Sequence, residues 1–139
     1  MATTVYNRGL DELRDFTTDT FRALLLDNIY TPDKDDDFVS DVSADELAGA
    51  GYARPTLGTK SRTIDDAQDR IEYAAADPDF GPIVAGETAQ YMVVYRFVTN
   101  DADSILIACY DIGGVPTNGA AFVVQWDATD GFAYTDQGA

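Results

Sequence analysis

The chain of 139 residues contains no histidine, and this absence bears first on catalysis. Histidine is the usual general base, the usual activator of serine and cysteine nucleophiles, and the commonest metal ligand. Only one cysteine, Cys109, is present, so no disulfide can form within the chain. Its place in an apolar segment, between Ala108 and Tyr110, predicts a buried packing residue rather than a nucleophile. We therefore expect a protein that is not an enzyme, with no catalytic residues and no organic cofactor.

Long hydrophobic runs and positive charge are also scarce. The apolar runs at 91–94 and 105–109 are far shorter than the roughly 20 residues of a membrane-spanning helix. Residues 1–16 mix charge and polarity, which predicts no signal peptide. Nine lysine and arginine residues stand against 25 aspartate and glutamate residues, a formal net charge of −16. Such a surface repels phosphate and anionic lipid, so we expect no nucleic-acid partner and no membrane partner.

The acidic residues are mostly aspartate, and lysine occurs only at positions 34 and 60. Because the Debye length falls to about 3 Å at molar salt, repulsion among these charges nearly vanishes there. An Asp-rich, Lys-poor chain is typical of a protein that tolerates or needs high salt. A halophilic source is therefore one hypothesis, and an acidic surface protein from a GC-rich mesophile is the other.

The chain does contain enough apolar sequence for one core, with 45% hydrophobic and 24% charged residues. This length predicts a single domain over residues 1–139. Within it, residues 1–18 are expected to form an N-terminal arm and helix, and residues 19–139 a β core. The spacing of Tyr6, Leu10 and Leu13 predicts the helix, which extends to Phe16.

Strand signals recur about every ten residues between turn signals such as Asn118-Gly119. Strands are predicted at 20–26, 60–64, 70–74, 89–98, 104–112, 121–126 and 132–135. The pattern predicts a mainly β fold, a single antiparallel β-sandwich with a short N-terminal helix. Its apolar strands are too continuous to have one face in water, which places them at the centre of the packing. A capping-box pattern at 43–46 predicts a helical turn that begins at Ser43, and residues 51–57 predict a short extended segment that Pro55 places at an edge or a bend.

An acidic loop is the strongest candidate for a bound cation. Its aspartates alternate as ligands of calcium loops do: Asp33, Asp35, Asp37 and Asp41. An EF-hand is excluded, because Phe38 and Ala44 stand where that loop needs glycine and glutamate. An irregular Ca²⁺ or Na⁺ site is one interpretation, and a solvated acidic loop is the other. Asp65, Asp66 and Asp69, at the predicted hairpin tip, leave a cation site and ordinary turn chemistry open in the same way.

Aromatic side chains are dense in the central predicted strands. They are Tyr91, Tyr95, Phe97 and Tyr110. One interpretation is core and cross-strand packing. The other is that part of this surface contacts another subunit.

Several short motifs follow one another in order from about residue 6 to residue 134. They include Tyr30-Thr31-Pro32-Asp33, Gly51-Tyr52-Ala53-Arg54, Gly86-Glu87-Thr88, Leu106-Ile107-Ala108-Cys109-Tyr110-Asp111 and Val124-Gln125-Trp126-Asp127. Their order and spacing resemble a family of small structural proteins, encoded beside the capsid genes of tailed phages and tailed archaeal viruses. The chain is more Asp-rich than that family pattern.

This resemblance implies a virion structural protein, a minor capsid or head decoration protein with no catalytic residues to carry over. It implies a place on the capsid exterior after synthesis in the host cytoplasm, with the major capsid protein as the partner. Homo-oligomers are expected, trimers at three-fold positions of the lattice or pentamers at the vertices.

Two alternatives stay open at this point. One is a tail, neck or baseplate component, which is also structural. The other is a carbohydrate-binding module that holds a host glycan through Ca²⁺, and an exposed Trp126 or tyrosine cluster beside the ion would favour it.

Overall fold

The computed structural model describes residues 2–9, 15–126 and 133–136, the last four and Ala2 by their backbone alone. Its strands are β1 (Ala2–Val5), β2 (Phe21–Leu26), β3 (Ser61–Asp65), β4 (Arg70–Ala74), β5 (Asp79–Pro82), β6 (Thr88–Arg96), β7 (Ile105–Pro116), β8 (Ala121–Val123) and β9 (Ala133–Asp136). A short helix, α1 (Val39–Val42), continues into a 3₁₀ turn at Ser43–Asp45. Within the described ranges no helix is long and apolar enough to cross a membrane.

The described strands form three antiparallel sheets in two layers. One layer is a four-stranded sheet in the order β1-β7-β6-β2. The other layer holds a three-stranded sheet, β3-β4-β9, and a two-stranded sheet, β5-β8. Side chains from the four-stranded sheet, β4, β5 and β8 meet in one core between the layers. The predicted mainly β, antiparallel, sandwich-like fold is confirmed.

The centre of the four-stranded sheet is buried on both faces. Ala23 and Leu25 point into the core between the layers, which we call the sandwich face. Leu24 and Leu26 point to the opposite side, where Tyr6, Tyr30, Val39 and Val42 cover them; we call this the loop face. Since successive strand residues alternate between faces, a consecutive run such as Leu24–Leu26 requires cover on both sides. The prediction that these strands lie at the centre of the packing is thus confirmed.

The outer edge of β2 is covered by loop backbone. Segment 45–57, which we call the covering segment, runs along this edge. Its backbone forms hydrogen bonds with that of β2: the Leu57 N–H donates to the Phe21 carbonyl (2.8 Å), and the Leu47 N–H donates to the Leu25 carbonyl (3.1 Å). The edge placement predicted for residues 51–57 is therefore correct, although the only ladder pairing described there is an isolated bridge between Arg22 and Thr56. An uncovered strand edge can pair with a strand of another chain, and here the covering segment of the same chain occupies that edge.

Two glycines let the covering segment cross β5. Gly51 and Gly81 have φ of +88° and +89°, and a Cβ on Gly81 would collide with the carbonyl oxygen of Gly51. Only glycine meets both demands without strain.

Several sequence-based boundaries differ from the structure. β1 and β5 were not predicted, because their short segments are polar or contain Gly81-Pro82. The helical turn predicted at Ser43 is present as the 3₁₀ turn Ser43–Asp45, but the unpredicted α1 precedes it from Val39, where Asp41 supplies the acceptor for the Phe38 N–H (2.9 Å). The predicted N-terminal helix depends on residues 10–14, which lie outside the described residues.

Candidate functional site

The predicted cation loop lies over the loop face, between β2 and α1. Asp33 Oδ1 accepts from the Asp35 N–H (3.0 Å), and Asp35 Oδ1 accepts from the side-chain amide of Asn7 (3.0 Å). Asp41 Oδ2 accepts from the N–H groups of Asp37 (3.1 Å) and Phe38 (2.9 Å). Most of these bonds hold the loop's own turns and begin α1.

Of the four predicted ligands, Asp33 and Asp41 therefore serve local turns, and Asp35 binds Asn7. In the part of the chain that the structure describes, no three acidic or cysteine side chains are placed to hold one metal ion together. The Ca²⁺ or Na⁺ site at Asp33, Asp35, Asp37 and Asp41 stays a prediction. The hairpin-tip aspartates follow the turn interpretation at one residue, because Asp65 Oδ1 accepts from the N–H groups of Ala67 and Gln68.

A tyrosine pair anchors this loop to the sheet. The hydroxyls of Tyr6 and Tyr30 lie 3.1 Å apart, and Tyr30 donates to Asp36 Oδ2 at 2.8 Å. Burial raises the pKa of both hydroxyls well above their ordinary value, and it also raises the pKa of the Asp36 carboxyl. The tyrosines stay neutral donors at physiological pH, which suits a structural anchor.

Cys109 lies beneath this pair, only 1% exposed. Burial raises the pKa of its thiol to about 12, so the reactive thiolate is absent near neutrality. The predicted packing role of Cys109 agrees with this burial.

Arg54, in the Gly-Tyr-x-Arg motif, joins segment 45–57 to the turn between β6 and β7. Its guanidinium donates to both oxygens of Glu46 (2.6 and 2.7 Å) and to both oxygens of Asp101 (2.7 and 3.1 Å). The Tyr52 hydroxyl donates to the same Glu46 carboxylate (2.6 Å) and accepts from the Leu25 N–H of β2 (3.0 Å). Hydrogen bonds from Arg54 lower the pKa of the Asp101 carboxyl. The cluster fastens both the covering segment and the β6–β7 turn to the sheet.

Glu87 makes a second fastening. Its two carboxylate oxygens accept from the N–H groups of Ala48 (3.0 Å) and Gly49 (2.5 Å). The adjoining Thr117 hydroxyl donates to the Val84 carbonyl at 2.8 Å. A charged acceptor on two backbone donors is stronger than a neutral one, so this carboxylate fixes the start of the covering segment.

Most of the cationic side chains in the described residues are used internally. Arg54 is bound as above, Arg70 pairs with Glu72 (2.9 Å), and Arg96 pairs with Asp19 (3.2 Å). Two others lie over aromatic rings: Arg22 over Phe97, and Lys60 over Phe16 and Phe21 while it also donates to the Asp19 carbonyl. With the positive charge engaged in this way, the exposed carboxylates dominate the surface potential.

Trp126 borders a groove of about 640 Å³ between the end of β7 and β8. Its indole N–H donates to the Ala76 carbonyl (3.0 Å), and its ring contacts Tyr110 edge-on at 5.5 Å. The ring packs partly buried against the sandwich face, whereas the acidic loop lies on the loop face. The described residues therefore do not bring Trp126 and the predicted cation loop together.

The central aromatics divide between two environments. Tyr95 and Tyr110 are fully buried in the two clusters, as core packing predicts. Tyr91 and Phe97 are partly buried on the loop face, where Tyr91 contacts Tyr30 edge-on at 5.8 Å.

Comparisons with protein-family models, curated proteins and solved structures gave no match for this chain.

Proposed function

We propose that this chain is a virion structural protein, a minor capsid or decoration protein that binds the outside of the major capsid protein shell and stabilises it. The main supporting observation is that residues of the motif series hold loops against the sandwich. Tyr30, Arg54, Glu87 and Trp126 each come from a different motif, and each ties a loop to the sandwich. Motifs that serve bracing rather than chemistry are what a structural role requires.

The charge distribution supports an exterior position. Most of the cations in the described residues are bound internally, so an outer surface built by this chain repels packaged DNA instead of binding it. The partner surface of the major capsid protein would then need complementary charge or buried apolar anchors.

The assembly we favour is a homotrimer at three-fold positions, with a pentamer at the vertices as the other form. A tail, neck or baseplate component is the alternative within the structural class, because a braced sandwich suits it equally. The calcium-assisted glycan module has less support, since Trp126 and the acidic loop lie on opposite sides of the central sheet.

Immunogold labelling of purified virus particles tests the proposal. An antibody raised against the recombinant protein is applied to intact and to disrupted particles, with pre-immune serum as the control. Gold distributed over the head supports the decoration role, and gold at the vertices supports the pentameric form. Gold on the tail would replace the proposal with the tail component, and the absence of gold on both preparations would overturn a virion role altogether.

A further inference from the structure

β3 is the most exposed of the strands whose side chains are described. Its residues from Ser61 to Ile64 are all exposed, and Ile64 presents 71% of its surface to solvent. β4 pairs with one edge of β3, and no described strand pairs with the other. The edge of β2, by contrast, is closed by segment 45–57.

Open edges in proteins usually carry a device that prevents pairing with other chains, such as a proline, a bulge or a lysine. Between Ser61 and Asp65, β3 has no proline, and its register with β4 runs without a shift. Its two charged residues, Arg62 and Asp65, have opposite signs, so they do not repel a second copy as a strand with charges of one sign would. The backbone groups of this edge are therefore arranged to accept another strand.

The side chains of β3 are complementary to a second copy of the same strand. A two-fold axis normal to a sheet keeps each face on its own side, so only residues that share a face can oppose each other. If Ile64 opposes Ile64 of the second copy, Thr63 opposes Asp65 of that copy, so an apolar side chain meets its like and a hydroxyl meets a carboxylate. In the same register the exposed Arg62 lies next to the hairpin turn of the second copy, where Asp66 and Asp69 are also exposed.

The same register extends an apolar stripe. Ile71 of β4 lies directly across from Ile64 and is partly buried against the core of the sandwich face. Pairing through Ile64 would give a continuous row of four isoleucines across four strands, Ile71 and Ile64 from each copy.

We propose that β3 is a self-association edge, where two copies pair β3 with β3 in antiparallel fashion about a two-fold axis at Ile64. The pairing does not depend on a virion role. It is compatible with a three-fold assembly, because an icosahedral lattice has both kinds of axis. The contact is short and each copy carries a net charge of −16, so association strengthens as salt screens the repulsion.

Disulfide trapping tests the proposal. Residues opposed in an antiparallel pair have Cα atoms about 4.5–5.5 Å apart, within the range of a disulfide. The Ile64→Cys variant is oxidised at 0.1 M and at 2 M salt beside the parent chain, whose Cys109 is buried, and beside Val84→Cys. Val84 is a matched control because it is also a large exposed apolar residue, with 50% of its surface accessible.

We expect the Ile64→Cys dimer to form about tenfold faster than the Val84→Cys dimer at the higher salt, because pairing raises the effective concentration of the thiols. A mixture of Thr63→Cys and Asp65→Cys chains should form the mixed dimer in preference to either homodimer, because these two positions of β3 oppose each other in the proposed register. Equal rates at Ile64 and Val84 at both salt concentrations would overturn the pairing. A mixture of Arg62→Cys and Ile64→Cys chains that prefers the mixed dimer to either homodimer would overturn the register.

Sedimentation at 2 M salt gives a readout without cysteine. Ile64→Lys should abolish the concentration-dependent association of the parent chain, whereas Val84→Lys should leave it intact. Because Ile64 is exposed, neither variant should lose its fold, which circular dichroism verifies. Unchanged association of Ile64→Lys would contradict the proposal.

Discussion

β2 and β3 are both edge strands of their sheets, but they differ in burial and in whether their outer edge is covered. β2 is buried on both faces and its outer edge is closed by segment 45–57. β3 is exposed on both faces, and no described strand covers its outer edge. The difference separates two roles within one fold: β2 contributes to stability, whereas β3 presents a surface. The first predictions below alter one side of this contrast, and the last concerns the acidic loop.

The largest effect is expected from the core of β2. Leu24 is fully buried on the loop face, so Leu24→Ala should lower the free energy of unfolding by about 3–5 kcal/mol, through lost burial and a residual cavity. Ile64→Ala on β3 should change it by less than about 0.5 kcal/mol under conditions where the protein is monomeric. Urea unfolding of both variants measures the contrast, and similar losses in the two would contradict it.

The crossing that lets segment 45–57 reach β2 should be the next most sensitive. Gly81→Ala combines backbone strain at φ +89° with a collision against Gly51, so we expect a loss of about 3 kcal/mol. Gly119→Ala is the matched control, because its φ of +84° is similar and the space around it is open. That variant should lose only about 1 kcal/mol. Equal losses in thermal unfolding would show that the close approach contributes nothing.

Arg54 fastens the covering segment, and its removal should cost less. Arg54→Met leaves the carboxylate of Glu46, only 13% exposed, without its cation, and should lower stability by about 2 kcal/mol. Arg62→Met removes an exposed arginine from β3 and should have almost no effect on unfolding of the monomer. A loss with Arg62→Met as large as that with Arg54→Met would contradict the assignment.

The partner of Arg54 should make part of this stability depend on pH. The folded-state pKa of Asp101 is lowered by hydrogen bonds from Arg54, so its contribution is complete above the unfolded pKa of about 3.9 and is lost as pH falls through the folded value. Because Asp101 is partly exposed, Asp101→Asn should cost under about 1 kcal/mol at pH 7. That difference from the parent chain should shrink below pH 4. Asp103→Asn, an exposed carboxylate of the same turn, should show neither effect, and a pH-independent cost at Asp101 would refute the ion pair.

The smallest effect is expected at the acidic loop. Since its carboxylates bind the loop's own turns and Asn7, EDTA should leave the melting temperature unchanged, and added Ca²⁺ should not raise it beyond its ionic-strength effect. Mg²⁺ at equal concentration controls for that effect. A calcium-specific rise that Asp37→Asn abolishes would establish the predicted cation site.

Local patterns in the sequence account for most of the strands. The hairpin of β3 and β4 was predicted within one residue, since β-prone segments flank an Asp-rich turn. β1 was missed because four polar and small residues carry little signal of their own, and their pairing with β7 lies about a hundred positions away along the chain. The contacts of the candidate site are harder to predict from sequence than the strands, because the bonds from Arg54 to Asp101 join residues 47 positions apart.

The amino-acid sequence by itself determined the fold class, the acidic balance and the buried packing position of Cys109. These follow from composition and from patterns that repeat within a few residues. Only the tertiary structure decided that Trp126 and the acidic loop lie on opposite faces of the central sheet, and that segment 45–57 closes the edge of β2 while no described strand covers the outer edge of β3. Those outcomes depend on which distant segments meet, and no short-range pattern of apolar and polar residues specifies that.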